Sequence, residues 1–157
     1  MKIVSALVVA AVMLAAPATF AADHASMPGM DGGEHMQHMG DVVAEEVIDG
    51  VKVTFRVMDM AAHMKSMQQT LPKGVKETHH IAVEFADPVT AKPITSGEVR
   101  VKVVGPDKSE QVKNLLAMDG HFGADFILAV KGKYGVMAKF KLPDGKVRQA
   151  RFWYEVK

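Results

Sequence analysis

The chain has 157 residues, twelve methionines, seven histidines and no cysteine, with a formal net charge of +1. That length suits one domain of ordinary size plus a tail. The missing cysteines exclude disulfides, thiolate metal centres and cysteine nucleophiles, and the near-zero charge argues against nucleic acid as a partner.

Residues 1–21 read as a secretory signal peptide. Lys2 supplies a positive start, Ile3 to Ala16 is nearly all apolar, and Pro17 precedes the small-residue stretch from Ala18 to Ala22. A retained anchor is the alternative; it calls for about 20 apolar residues and usually basic flanks, whereas Asp23 and Asp31 follow here. With no cysteine near the cleavage region, a lipoprotein is excluded. The expected location is the periplasm or outside the cell, with no membrane span left after cleavage. The leader carries Lys2 and no acid, so 18 basic and 18 acidic residues remain. Residues 22–50 hold seven acids and no Lys or Arg, whereas 51–157 hold 18 basic and 11 acidic residues.

Residues 22–41 form a Gly-, His-, Met- and Asp-rich stretch with no hydrophobic period, expected to be a disordered arm in the absence of metal. The remainder, 42–157, reads as one β-domain. Val42 to Ile48 ends at Asp49-Gly50, a two-residue hairpin signal. Val51, Val53, Phe55 and Val57 then alternate with Lys52, Thr54 and Arg56, one buried strand face. Ala61 to Gln69 breaks the alternation and forms either a helical turn or an ordered loop. Strand signals resume at His80 to Phe85, Val99 to Val103, Gln111 to Leu116, Phe122 to Val130, Tyr134 to Leu142 and Val147 to Val156, with Asp144-Gly145 joining the last pair. The expected fold class is all-β, an Ig-like antiparallel β-sandwich of seven or eight strands preceded by the Met/His-rich arm. Tyr134, opening a strand, fits the tyrosine-corner position of such sandwiches.

Eight of the twelve methionines lie between Asp23 and Met67, in a largely polar context that suits ligation better than packing. Thioether sulfur favours Cu(I), and imidazole serves either copper oxidation state. Four donor sets stand out. Cleavage after Ala21 puts His24 third in the mature chain, where amine, two amides and imidazole give a square-planar set for Cu(II) or Ni(II); cleavage after Ala22 removes that chelate. Met27, Met30, His35, Met36, His38 and Met39 can converge on one ion if the arm wraps, metal binding then supplying the ordering free energy. Met58, Met60, His63, Met64 and Met67 follow; at helical spacing His63 and Met67, or Met60, His63 and Met64, share a face, and core packing is the competing reading. The last set is His79, His80, Met118 and His121. Adjacent strand histidines point to opposite faces, so His79 joins Ile81, Val83 and Phe85 inside and His80 lies outside or at the rim. Met118 and His121 are expected three apart on a loop.

Enzyme signatures are absent. There is no Gly-x-Ser-x-Gly elbow, no His-Glu-x-x-His zinc motif and no Gly-rich phosphate loop. No strand shows a basic–aromatic face suited to nucleic acid, and Trp153, the only tryptophan, is out of phase with Phe152 and Tyr154.

Residues 51–156 resemble the YtkA-like domains of exported bacterial proteins. The resemblance is carried by His79-His80-Ile81-Ala82-Val83, Met118-Asp119-Gly120-His121-Phe122-Gly123-Ala124-Asp125-Phe126 and Gly132-Lys133-Tyr134-Gly135-Val136. It implies an Ig-like sandwich and, in some members, copper or heavy-metal roles. The overall plan is also similar to periplasmic copper-resistance carriers of the CopC type, which present histidine as the mature N-terminal residue; here at least one residue precedes His24. The expected function is that of an exported, non-enzymatic copper-binding protein serving tolerance, storage or hand-over, with the copper ion and a periplasmic donor or acceptor protein as partners. The alternative is an Ig-like interaction or accessory module of the cell envelope with an incidental Met/His tail.

Overall fold

A computed structural model describes residues 39–157 of the chain. In chain order they form β1 (Asp41–Ile48), β2 (Val51–Asp59), the short helix α1 (Met60–Ser66), β3 (His79–Ala86), β4 (Glu98–Val104), β5 (Glu110–Met118), β6 (His121–Phe126), β7 (Gly132–Lys141) and β8 (Val147–Val156). All strand pairs are antiparallel, in the order β1-β2-β3-β6-β5-β4-β7-β8. The sheet is continuous but folded. β5 pairs with β4 through Glu110–Leu115 and with β6 through Leu116–Met118, so that one strand serves both layers. The all-β expectation is met with eight strands.

The core follows from strand alternation. Val51, Val53, Phe55 and Val57 on β2 and Ile81, Val83 and Phe85 on β3 point inward, against Val99, Val101 and Val103 on β4 and Tyr134, Val136, Ala138 and Phe140 on β7. Phe85 is the hub, with ring centroids 4.6 Å from Phe140 and 5.6 Å from Phe122. Tyr134 is buried and its hydroxyl donates to the Val130 carbonyl at 2.8 Å while accepting from the Val130 N–H at 2.9 Å. This is the tyrosine corner of Ig-like sandwiches. The edge strands are tied by Arg148, a buried guanidinium that donates to both oxygens of Asp144 (2.6 and 3.1 Å) and to the Asp49 carbonyl (3.2 Å).

Three details differ from the sequence reading. Met118 and His121 do not sit on a loop: Asp119 (φ 41°) and Gly120 (φ 88°) form a two-residue turn in the left-handed region, and the flanking residues end β5 and start β6. Met39, assigned to the arm, is 7 % exposed, and Gly40 lies so close to Val57 and Met58 that a Cβ there would sit 2.7 Å from the Met58 Cβ. The outward positions of β4, β7 and β8 gather Arg100, Lys102, Lys139, Arg151 and the exposed Trp153 on one face. A strand-by-strand reading does not find this cluster: the residues come from three strands distant in sequence, and only pairing gathers them.

Candidate metal centre

His80 is the central residue. The inward alternation of Ile81, Val83 and Phe85 forces its neighbour His79 inside and His80 onto the outer face of the first layer, as expected. In register, His80 faces Met58 on β2 and Asp125 on β6. Residues paired across strands share a face, and the Asp125 carboxylate accepts from His80 Nδ1 at 2.6 Å. A carboxylate partner places the proton on Nδ1 and leaves the Nε2 lone pair free to ligate.

His121 enters from the other side of the same face. Two residues along β6 from it lies Gly123, also outward and buried. A Cβ built on Gly123 would meet His80 Nε2 at 2.5 Å and His121 Nε2 at 3.4 Å. Both imidazole Nε2 atoms therefore converge on the space over one glycine, with ring centroids 6.0 Å apart and the planes nearly perpendicular. Metal–imidazole bonds of about 2 Å require the two nitrogens roughly 3–4 Å apart around a shared ion. Met118, 36 % exposed, pairs in register with His121, which puts the two side chains on the same face.

The surroundings are held by charge. Arg56, in register with Ala82 and thereby in the row of Gly123, bonds Glu84 at 3.0 Å and the Gly40 carbonyl at 3.2 Å. Its charge is neutralised beside the site, and the incoming chain is pinned to β2. Lys113 donates to the Asp125 carbonyl at 2.6 Å, steadying the strand that carries the carboxylate.

The other candidates lie elsewhere. His79 is 5 % exposed, its ring packs edge-on to Tyr154 at 5.7 Å, and Nδ1 lies 2.8 Å from the Thr78 hydroxyl. Burial pushes its pKa down, partly offset by Asp59. His63 and Met64 are half-buried on α1 together with Met60, while Met67 beyond its end is 40 % exposed. Met60, His63 and Met64 thus share the inward face of the helix, whose N-terminus is capped by Asp59 accepting from the Ala62 N–H at 3.0 Å. His24, Met27, Met30, His35, Met36 and His38 lie outside the described residues.

The structure thus brings together His80, Met118 and His121 and turns His79 to the opposite side. Sequence reasoning missed Asp125 and Gly123. A glycine inside a strand is a signal of close approach and was there to be used; the pairing of Asp125 with His80, 45 residues apart, left no local trace. Among the described residues no group of three or more His, Asp or Glu side chains is placed to hold an ion. Two imidazoles beside a methionine side chain are a donor set that fits a soft or borderline metal.

No family model matches the chain, and no curated protein matches it. Solved structures match its fold. FetP of uropathogenic Escherichia coli strain F11 superposes with a TM-score of 0.56 at 14% identity, covering 73% of this chain and 93% of that one. A copper-bound variant of P19 from Campylobacter jejuni gives 0.55 at 11% identity over 75% and 97% of the two chains. A DUF4426 family protein from Pseudomonas aeruginosa PAO1 gives 0.52 at 14%, covering 72% and 93%. FetP is also known as a copper-bound variant. At these identities the likeness establishes shared architecture.

Proposed function

We propose that this is an exported copper-binding protein whose folded domain holds the ion between His80 Nε2, His121 Nε2 and the Met118 thioether. The observation that carries the reading is the meeting of two imidazole nitrogens over Gly123, one of them oriented by Asp125 from behind. A carboxylate behind a ligating histidine fixes its ring and raises its basicity. Copper-bound variants of FetP and P19, which share the fold, support the choice of metal.

Two nitrogens and one sulfur leave coordination open, which suits a carrier that exchanges ligands with a partner better than a closed structural site. Thioethers persist where thiols would oxidise, consistent with twelve methionines and no cysteine in an exported chain. Met27, Met30, His35, Met36 and His38 add further soft donors ahead of the domain, and the acids among residues 22–50 attract cations to it. The protein serves as a periplasmic carrier or store that hands copper on, without catalysing a reaction.

Titration of the mature protein with Cu(I) against a competing chelator tests this. Replacing His80 and His121 by alanine together removes one tightly held equivalent. An unchanged number of equivalents at unchanged affinity places all binding outside the domain and removes the proposed site.

A further inference from the structure

The outer face of the second layer, on the opposite side of the sandwich from the His80–His121 site, carries a charge arrangement that the fold does not need. We infer that it is a docking surface for an extended acidic polypeptide segment of a partner protein. The inference stands independently of the copper reading.

The face is built in register. Lys102, Met137 and Arg151 form one row across β4, β7 and β8, and Arg100, Lys139 and Gln149 form the next. At the periphery the charges are balanced: Lys141 faces Glu98, Lys133 faces Glu155, and Lys102 pairs with Glu110 at 2.7 Å. The centre is not balanced. Arg100 lies directly across from Lys139, with Arg151 one row away, and among the described residues none of the three has an ion-pair partner. Like charges directly opposed on a sheet are destabilising, so this trio costs stability unless a partner brings carboxylates.

The shape agrees with a chain-like occupant. A groove of about 490 Å³ runs between Arg100, Lys102, Val112, Met137, Lys139 and Arg151. A second hollow of about 780 Å³ continues past Met137 and Arg151 to Trp153 and Pro106. Trp153 is 74 % exposed, and its six-membered ring lies over Gly135, where a Cβ would be 3.2 Å from Cζ3. The indole therefore rests on the sheet as a platform for an apolar side chain and does not project as a wedge into a bilayer. Arg100 and Arg151 offer the forked donors that match carboxylates. Three uncompensated cations and one aromatic fall short of the long basic track that nucleic acid requires. An acidic segment with interspersed apolar residues satisfies charge, groove and platform together.

The test uses the metal-free full-length mature protein and a capped peptide of four Asp-Glu-Leu repeats, with Trp153 emission and backbone amide shifts as readouts. Saturable binding that moves amides of β4, β7 and β8, weakens roughly tenfold or more between about 0.05 and 0.5 M salt, and is absent for the Asn-Gln-Leu counterpart is the expected result. Arg100→Glu creates an opposite-charge pair with Lys139, so it is expected to keep or raise the thermal midpoint while reducing peptide affinity at least about tenfold; Lys139→Gln serves as the second variant and is expected to weaken binding in the same direction. No saturable binding, affinity unchanged in both variants, or a lowered midpoint in Arg100→Glu overturns the inference. Binding to phosphatidylglycerol vesicles or to oligothymidine in place of the peptide overturns it as well.

Discussion

Asp125 Oδ1 lies 2.6 Å from His80 Nδ1 across the β3–β6 pair, and this contact decides which nitrogen of His80 faces the space over Gly123. Replacing Asp125 with asparagine keeps the shape but loses the charge and the fixed tautomer. Copper affinity at the domain site is expected to drop about 10- to 100-fold with little change in the unfolding midpoint. Chelator competition on the apo and loaded variant checks both.

Gly123 is the floor of the site. Its substitution by alanine places a methyl group 2.5 Å from His80 Nε2 and 3.4 Å from His121 Nε2, so the His80 ring must shift from its present position. Gly123→Ala is expected to abolish domain copper binding while circular dichroism still reports the β-sandwich. Binding at wild-type affinity in a folded Gly123→Ala protein would mean that the ion sits elsewhere.

In the proposed site Met118 is the group expected to set the preference between oxidation states. It pairs in register with His121 across the β5–β6 hairpin, and sulfur stabilises Cu(I) more than Cu(II). Met118→Leu conserves volume at a partly exposed position and is expected to weaken Cu(I) binding by roughly tenfold, leaving Cu(II) nearly unaffected. The two affinities, measured separately, give the ratio directly.

Much of this was readable from sequence, and the failures share one cause. Alternation in Val51 to Val57 and in Ile81 to Phe85 gave the buried faces, and with them the opposed directions of His79 and His80. Asp119-Gly120 carried the same turn signal as Asp49-Gly50, yet the methionine and histidine around it drew it toward a loop. What no local pattern holds is which strands become neighbours. Asp125 behind His80, Gly123 beneath two imidazoles, and Arg100 facing Lys139 all depend on pairings between distant segments. The division of β5 between two layers is likewise a property of packing that its own residues do not announce.

The Asp144–Arg148 clamp predicts an acid-sensitive stability term. Hydrogen bonds from Arg148, then from the Lys146 N–H, hold the Asp144 carboxyl down to about 2 from its usual 3.8. A carboxyl depressed in the folded state stabilises above its unfolded pKa and loses that contribution as pH falls through the folded value. The difference in thermal midpoint between wild type and Asp144→Asn is therefore expected to be constant well above pH 3.8 and to narrow as pH falls through about 2. Thermal melts of both proteins across that range read it out; a gap as wide at pH 2 as it is well above pH 3.8 contradicts the assignment.

The most direct measurement is a crystal structure of the mature protein loaded with one equivalent of copper, with anomalous data collected at the copper edge. The account predicts a peak over Gly123, about 2 Å from both His80 Nε2 and His121 Nε2, with the Met118 sulfur turned toward it. A peak bonded to neither imidazole, or found only on residues ahead of Met39, contradicts it.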